Sequence, residues 1–304
     1  MAYFLRRAEG FWPSPSVDQI WKIEDDEAEL LGVSNPKFGP GSYFKANPGE
    51  TVWDAIRRQA TGWLEPEGHN PFYEIDLAPG QYYPRIARPL VPSSRSHPIF
   101  WCPSARSEQN AVAIARSQLQ ALGRELERIC QTVHPKEPNF GTFGHDIRNL
   151  LILACTEVEA HWRGVLKANG ESKDRYNTSD YVKLQGALKL DEYSVTFPTY
   201  PWLEPLCPFR GWGSTGKATQ ELAWYDAYNA VKHNRESEFE RSTLRHVFEA
   251  VSACFIMMVA QFGERGSFFY ISSRPDWPIS DVYIAPFGTP NWSPMHFKFS
   301  TRVP

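Results

Sequence analysis

The sequence has no paired cysteines, no long apolar run and no excess of basic charge. Its five cysteines (Cys102, Cys130, Cys155, Cys207 and Cys254) include no CxxC pair and are odd in number. That pattern argues against a disulfide framework or a zinc ribbon, and for reduced, mostly buried thiols of a cytoplasmic protein. The N-terminal stretch MAYFLRRAEGFW reaches its arginines before an apolar segment can form, so no secretory leader is expected. The most apolar window, Val251 to Phe262, falls short of the roughly 20 residues a bilayer span needs, and no membrane contact is expected. The 32 Lys and Arg against 35 Asp and Glu give a formal net charge of −3. This excludes a basic nucleic-acid coat but not a local phosphate site, which needs only a patch. An HExxH motif, a GxxxxGK[ST] loop and a Ser–His–Asp signature are all missing, so neither metal nor cofactor is expected. The glycine-rich GWGSTGK (Gly211 to Lys217) lacks phosphate-loop spacing and reads as a flexible connection.

What is present divides by proline. More than half of the 25 prolines precede residue 105, and long proline-free windows follow. Proline costs about 3 kcal/mol inside a helix, so those windows are where long helices belong. Val112, Ala115, Leu119, Leu122, Leu126, Ile129 and Val133 recur at steps of three and four and predict one amphipathic helix. Phe143, Ile147, Leu151, Ala154, Val158, Trp162 and Val165 predict a second, with ANG at its end. A short helix with Ser179 as N-cap follows, then the aromatic excursion FPTYPWLEPLCPFRGWGSTG, expected to plug one end of the helical layer. Leu244, Val247, Val251, Phe255, Met258 and Phe262 predict a last helix. The short alternating runs SYFKA, FYEIDL, SFFYISS and DVYIA predict strands at both ends of the chain. The expectation is a mainly α protein: a β- and loop-rich region at 1–105, a helical bundle at 106–266, and a β-rich tail at 267–304 that pairs with the N-terminal region.

One stretch combines chemistry with a helix, WYDAYNAVKHNRE at Trp224 to Glu236. On a helix Trp224, Tyr228 and Val231 form a packing face, and Asp226, Asn229 and His233 fall on an adjacent one. Lys232 and Arg235 flank that polar stripe. His233 is the proton-exchanging group such a stripe offers for general acid–base work. Lys232 and Arg235 offer phosphate contacts, Arg bidentately, and Asn229 an orienting amide. Acidic and basic residues balance around the stretch, so a solvated helix face is the competing reading.

YNAVKHNR, late in a helical region, resembles the HEPN superfamily (higher eukaryotes and prokaryotes nucleotide-binding domains). The resemblance covers Phe140 to Gly263 and rests on Asn229 and His233, which match the polar residue and the histidine of the family's Arg–polar–His motif. It implies a HEPN-like helical bundle, metal-independent RNase activity in antiviral defence or toxin–antitoxin systems, and a homodimer that joins two motifs. RNA or a nucleotide is the implied partner. The family's arginine falls on Tyr228, and a non-catalytic binding or interaction module is the alternative that this departure offers. Arg148 in HDIRN offers a substitute cation. Glu157 and Glu159 in CTEVEAHWR offer a carboxylate across the cleft to orient His233; without that role, Glu157 and His161 read as a surface pair one turn apart.

Overall fold

The computed structural model describes residues 1–7, 18–39, 41–60, 62–64, 70–94, 97–234, 236–263, 270–288 and 291–300. Its strands are β1 (Ala2–Arg7), β2 (Asp18–Ile23), β3 (Glu27–Leu30), β4 (Tyr43–Lys45), β5 (Phe72–Glu74), β6 (Gln81–Tyr82), β7 (Arg88–Ser94), β8 (His97–Trp101), β9 (Ser194–Thr196), β10 (Tyr270–Ser273), β11 (Tyr283–Ile284) and β12 (Ser293–Pro294). Its helices are α1 (Val52–Gln59), α2 (Ser104–Ser107), α3 (Gln109–Thr132), α4 (His145–Ala168), α5 (Thr178–Tyr181), α6 (Leu184–Leu188), α7 (Ala223–His233) and α8 (Leu244–Phe262). The expected mainly α, HEPN-like bundle is overturned: the described residues are mixed α/β, 42% helical and 17% strand, with a five-stranded antiparallel sheet. The proline-free windows located the long helices, but proline spacing carries no information on how short aromatic strands assemble into a sheet.

The chain forms two compact units, residues 1–82, 88–100 and 277–294 in the first, and 83–87, 101–276 and 295–304 in the second. In the first unit the sheet order is β4-β3-β2-β1-β5. Successive strand residues point to opposite faces, and the sheet is covered on both. Trp21, Ile23, Phe44 and Phe72 pack on one face with Val52 and Ile56 of α1, and Leu5, Ile20, Ile75 and Val91 pack on the other with Val282 and Ile284. Thr51 caps α1 through a reciprocal pair with Asp54, a local signal embedded among strand-like runs. Two late strands pair parallel with early ones, β11 with β7 and β12 with β6.

The second unit is built on α8. Cys254 Sγ donates to Ala154 O of α4 at 3.1 Å, and Gln261 Nε2 meets His161 Nδ1 of α4 at 2.8 Å. Both pairs are 100 residues apart, so α4 and α8 run in the same direction. By length and composition Leu244–Phe262 is apolar enough to cross a membrane, yet 83% of its apolar window is buried inside the protein. The predicted short helix is two, α5 and α6, and its cap is Asn177, whose side chain accepts from Asp180 N, rather than Ser179. In the aromatic excursion Phe209 and Trp212 are buried against Trp162, whereas Trp202 is exposed. The five cysteines are free thiols, and all but Cys207 are buried.

Candidate functional site

Helix α7 is held by its aromatic residues. Trp224, Tyr225, Ala227, Tyr228 and Val231 are buried, and the Trp224 indole donates to Pro208 O at 2.9 Å. Tyr225 was not assigned to the packing face by the spacing of Trp224, Tyr228 and Val231. It lies three residues from Leu222 and from Tyr228, and that step is the signal that places it. Its ring meets Trp162 at 5.2 Å, and its hydroxyl donates to Glu159 Oε1 at 2.9 Å. Burial, then the adjacent Glu159 carboxylate, pushes the Tyr225 phenol far above its ordinary range.

Three residues of the polar stripe and its flank, Asp226, Asn229 and Lys232, bond to partners within the protein. Asp226 pairs with Arg241, on the short turn Phe239–Arg241. The Asn229 amide donates back to Tyr225 O at 3.0 Å, one helical turn earlier. Lys232 Nζ donates to Tyr228 Oη at 2.8 Å and lies 4.9 Å from the centre of that ring. The bond to Tyr228 raises the Lys232 ammonium above its ordinary value, so Lys232 is a fixed cation. His233 is the last residue of α7 and is exposed. Arg235 lies outside the described residues.

The residues expected to face His233 from α4 are engaged elsewhere. Glu159 takes the Tyr225 hydroxyl, and Glu157 Oε1 stands 3.6 Å from His161 Nε2. That Glu157–His161 pair is not a surface pair, because His161 is buried. Arg148 sits in the first turn of α4 and donates to the neighbouring Asn149 Oδ1 at 3.3 Å. Glu221 fills the glycine-rich loop: its carboxylate accepts from Gly213 N at 2.6 Å, Thr215 N at 2.5 Å and Thr215 Oγ1 at 2.7 Å. The backbone donors of GWGSTGK thus already hold an internal anion. Among the described residues no three His, Cys, Asp or Glu side chains gather as a metal site.

His161 has a different role. Gln261 Nε2 gives one hydrogen to Met257 O at 2.8 Å and the other to His161 Nδ1, so the ring is neutral with its proton on Nε2, towards Glu157. Burial, with the nearby Arg85 guanidinium, pulls the imidazole down to about 4. Arg85 takes a left-handed backbone, φ 56°, and bonds Glu108 at 2.7 Å. Its guanidinium passes so close to Gly164 that a Cβ there would lie 2.1 Å away.

A folded-state value below the ordinary one means that the unfolded chain takes up the proton first. The His161 contribution is therefore complete above about pH 6.5 and is lost as pH falls towards 4, amounting to about 3 kcal/mol at most. Glu157 and Glu249, both raised by burial and Glu249 to about 7, act with the opposite sign, and His246, lowered by burial, acts with the same sign. From pH 7 to pH 4.5 the native chain should lose more stability, read as the urea midpoint, than His161→Asn, which lacks the His161 share of the pH dependence. Equal slopes in both would remove His161 as the cause.

No protein-family model matches the chain, and neither a curated protein nor a solved structure does.

Proposed function

We propose that the chain is a non-catalytic binding module in which α7 is a structural helix, its Asn229 and Lys232 bonded within the helix and its Asp226 to Arg241. The observation that carries this reading is Tyr228. It stands where the resembled motif has its arginine, it is 1% exposed, and its hydroxyl accepts the Lys232 ammonium. Asp226, Asn229 and Glu159 are likewise bound to partners within the protein. General acid–base work needs a histidine within hydrogen-bond reach of the proton it moves, beside groups that hold the substrate. In α7 those neighbouring groups serve the helix itself.

The second reading, a metal-independent ribonuclease of a bacterial defence or toxin system, takes its support from His233, which is exposed and next to the exposed Lys232. Restoring the arginine separates the two. The native chain and Tyr228→Arg, each incubated with single-stranded RNA in a chelator, are expected to release no fragments. Cleavage that appears in Tyr228→Arg would mean that the α7 stripe is a nuclease site lacking one residue, and the binding-module reading would fail.

A further inference from the structure

A cavity of about 590 Å³, lined by no residue of α7, opens in the second unit and falls within the range of small-molecule sites. His134, Lys136, Glu137 and Phe140 reach it from the segment after α3, Trp202 from the aromatic excursion, and Arg245 from the first turn of α8. Trp202 is 51% exposed although it is held from several sides. Its indole N–H donates to Pro135 O at 2.7 Å, the His134 ring lies against it at 5.1 Å and 32°, and the Tyr200 ring approaches to 5.9 Å. A large aromatic ring fixed in place with half its surface in water is a ready stacking platform.

The other half of the cavity is lined by charged side chains. The Arg245 guanidinium lies 4.4 Å from the Phe140 ring centre, and its terminal nitrogen meets both Glu137 carboxylate oxygens at 2.7 Å. The Glu137 side chain is 80% exposed and sits on a three-residue turn. A pair so exposed is weak and easily exchanged for another carboxylate or phosphate. Lys136 adds a cation with no ion-pair partner among the described residues, and Glu204 adds one opposing charge to the lining. The cavity thus pairs an aromatic platform, Trp202, with a guanidinium, Arg245, whose fork suits a carboxylate or phosphate.

We propose that this cleft binds a planar aromatic anion, its ring on Trp202 and its acidic group on Arg245 in the place the Glu137 carboxylate takes. The proposal rests on the binding-module reading, since it supplies that module with its ligand.

Isothermal titration of the full chain tests it with four probes: adenosine 5′-monophosphate, 2-naphthoate, adenosine and inorganic phosphate. A probe that joins ring and acid should bind more tightly than adenosine or phosphate. Binding of the monophosphate alone would identify a phosphate ligand, and of 2-naphthoate alone a carboxylate; either supports the site. Trp202→Ala should weaken binding by about fivefold or more, the scale of a lost aromatic stack. Glu137→Gln, at an exposed position that folding tolerates, should tighten it by removing the competing carboxylate. No binding by either joined probe overturns the proposal, as does binding that neither substitution alters. RNA cleavage by Tyr228→Arg, in contrast, would overturn the module reading and leave the titration result standing.

Discussion

Trp162→Ala is expected to lower stability by about 3–5 kcal/mol, the cost of emptying a large aromatic site. Trp162 is fully buried on α4 and collects the aromatic residues of three segments. Tyr181 lies at 4.9 Å from α5, Trp212 at 5.0 Å from the aromatic excursion, and Tyr225 at 5.2 Å from α7. These neighbours are themselves stacked and cannot all collapse into the space left behind. The Trp162 indole N–H has no hydrogen-bond partner among the described residues. Trp162→Phe therefore removes a buried unsatisfied donor along with part of the ring, and should cost clearly less than the alanine change. Urea denaturation reads both. A loss below about 1 kcal/mol for the alanine variant would mean that the cluster is not a closed core.

The second large effect belongs to the parallel pair α4 and α8. Leu151→Ala and Phe255→Ala should each cost about 2–5 kcal/mol, because both side chains are fully enclosed. Leu153 is the internal control. It lies two residues from Leu151 on the same helix, but it points to solvent and is 52% exposed. Leu153→Ala should change stability by no more than about 0.5 kcal/mol. Similar losses at positions 151 and 153 would mean that the buried face of α4 is drawn wrongly.

The helical faces were legible because a period of three to four is written into α3, α4 and α8 by residues such as Leu119, Leu151 and Phe255. The sheet was legible only as strand-like runs. Its outer pairing joins Phe4 with Glu74, and the smaller sheets join Tyr283 with Leu90 and Ser293 with Gln81, segments far apart in sequence whose partners no local pattern encodes. Helix α1 was missed because Val52 to Gln59 lies among proline- and glycine-rich runs, although Thr51 and Asp54 spell its cap.

The α7 site shows the same division. Spacing placed Trp224, Tyr228 and Val231 on one face, as their burial shows. It could not reveal that Lys232 and Asn229 bond within their own helix, because such bonds depend on side-chain direction as well as on spacing. Nor could it give the depth of His161, since Glu157 and His161 one turn apart read alike on a surface or in a core. The cleft at Trp202 and Arg245 joins residues 43 positions apart in sequence, and its only sequence signal was a tryptophan in a proline-rich excursion.

The central claim is that α7 stabilises the fold and performs no cleavage. It is tested most directly by holding the native chain in large excess over end-labelled single-stranded RNA, in a chelator, and following the RNA length over hours beside His233→Ala. Full-length RNA is expected in both samples. Fragments that appear with the native chain and vanish with His233→Ala would contradict the claim.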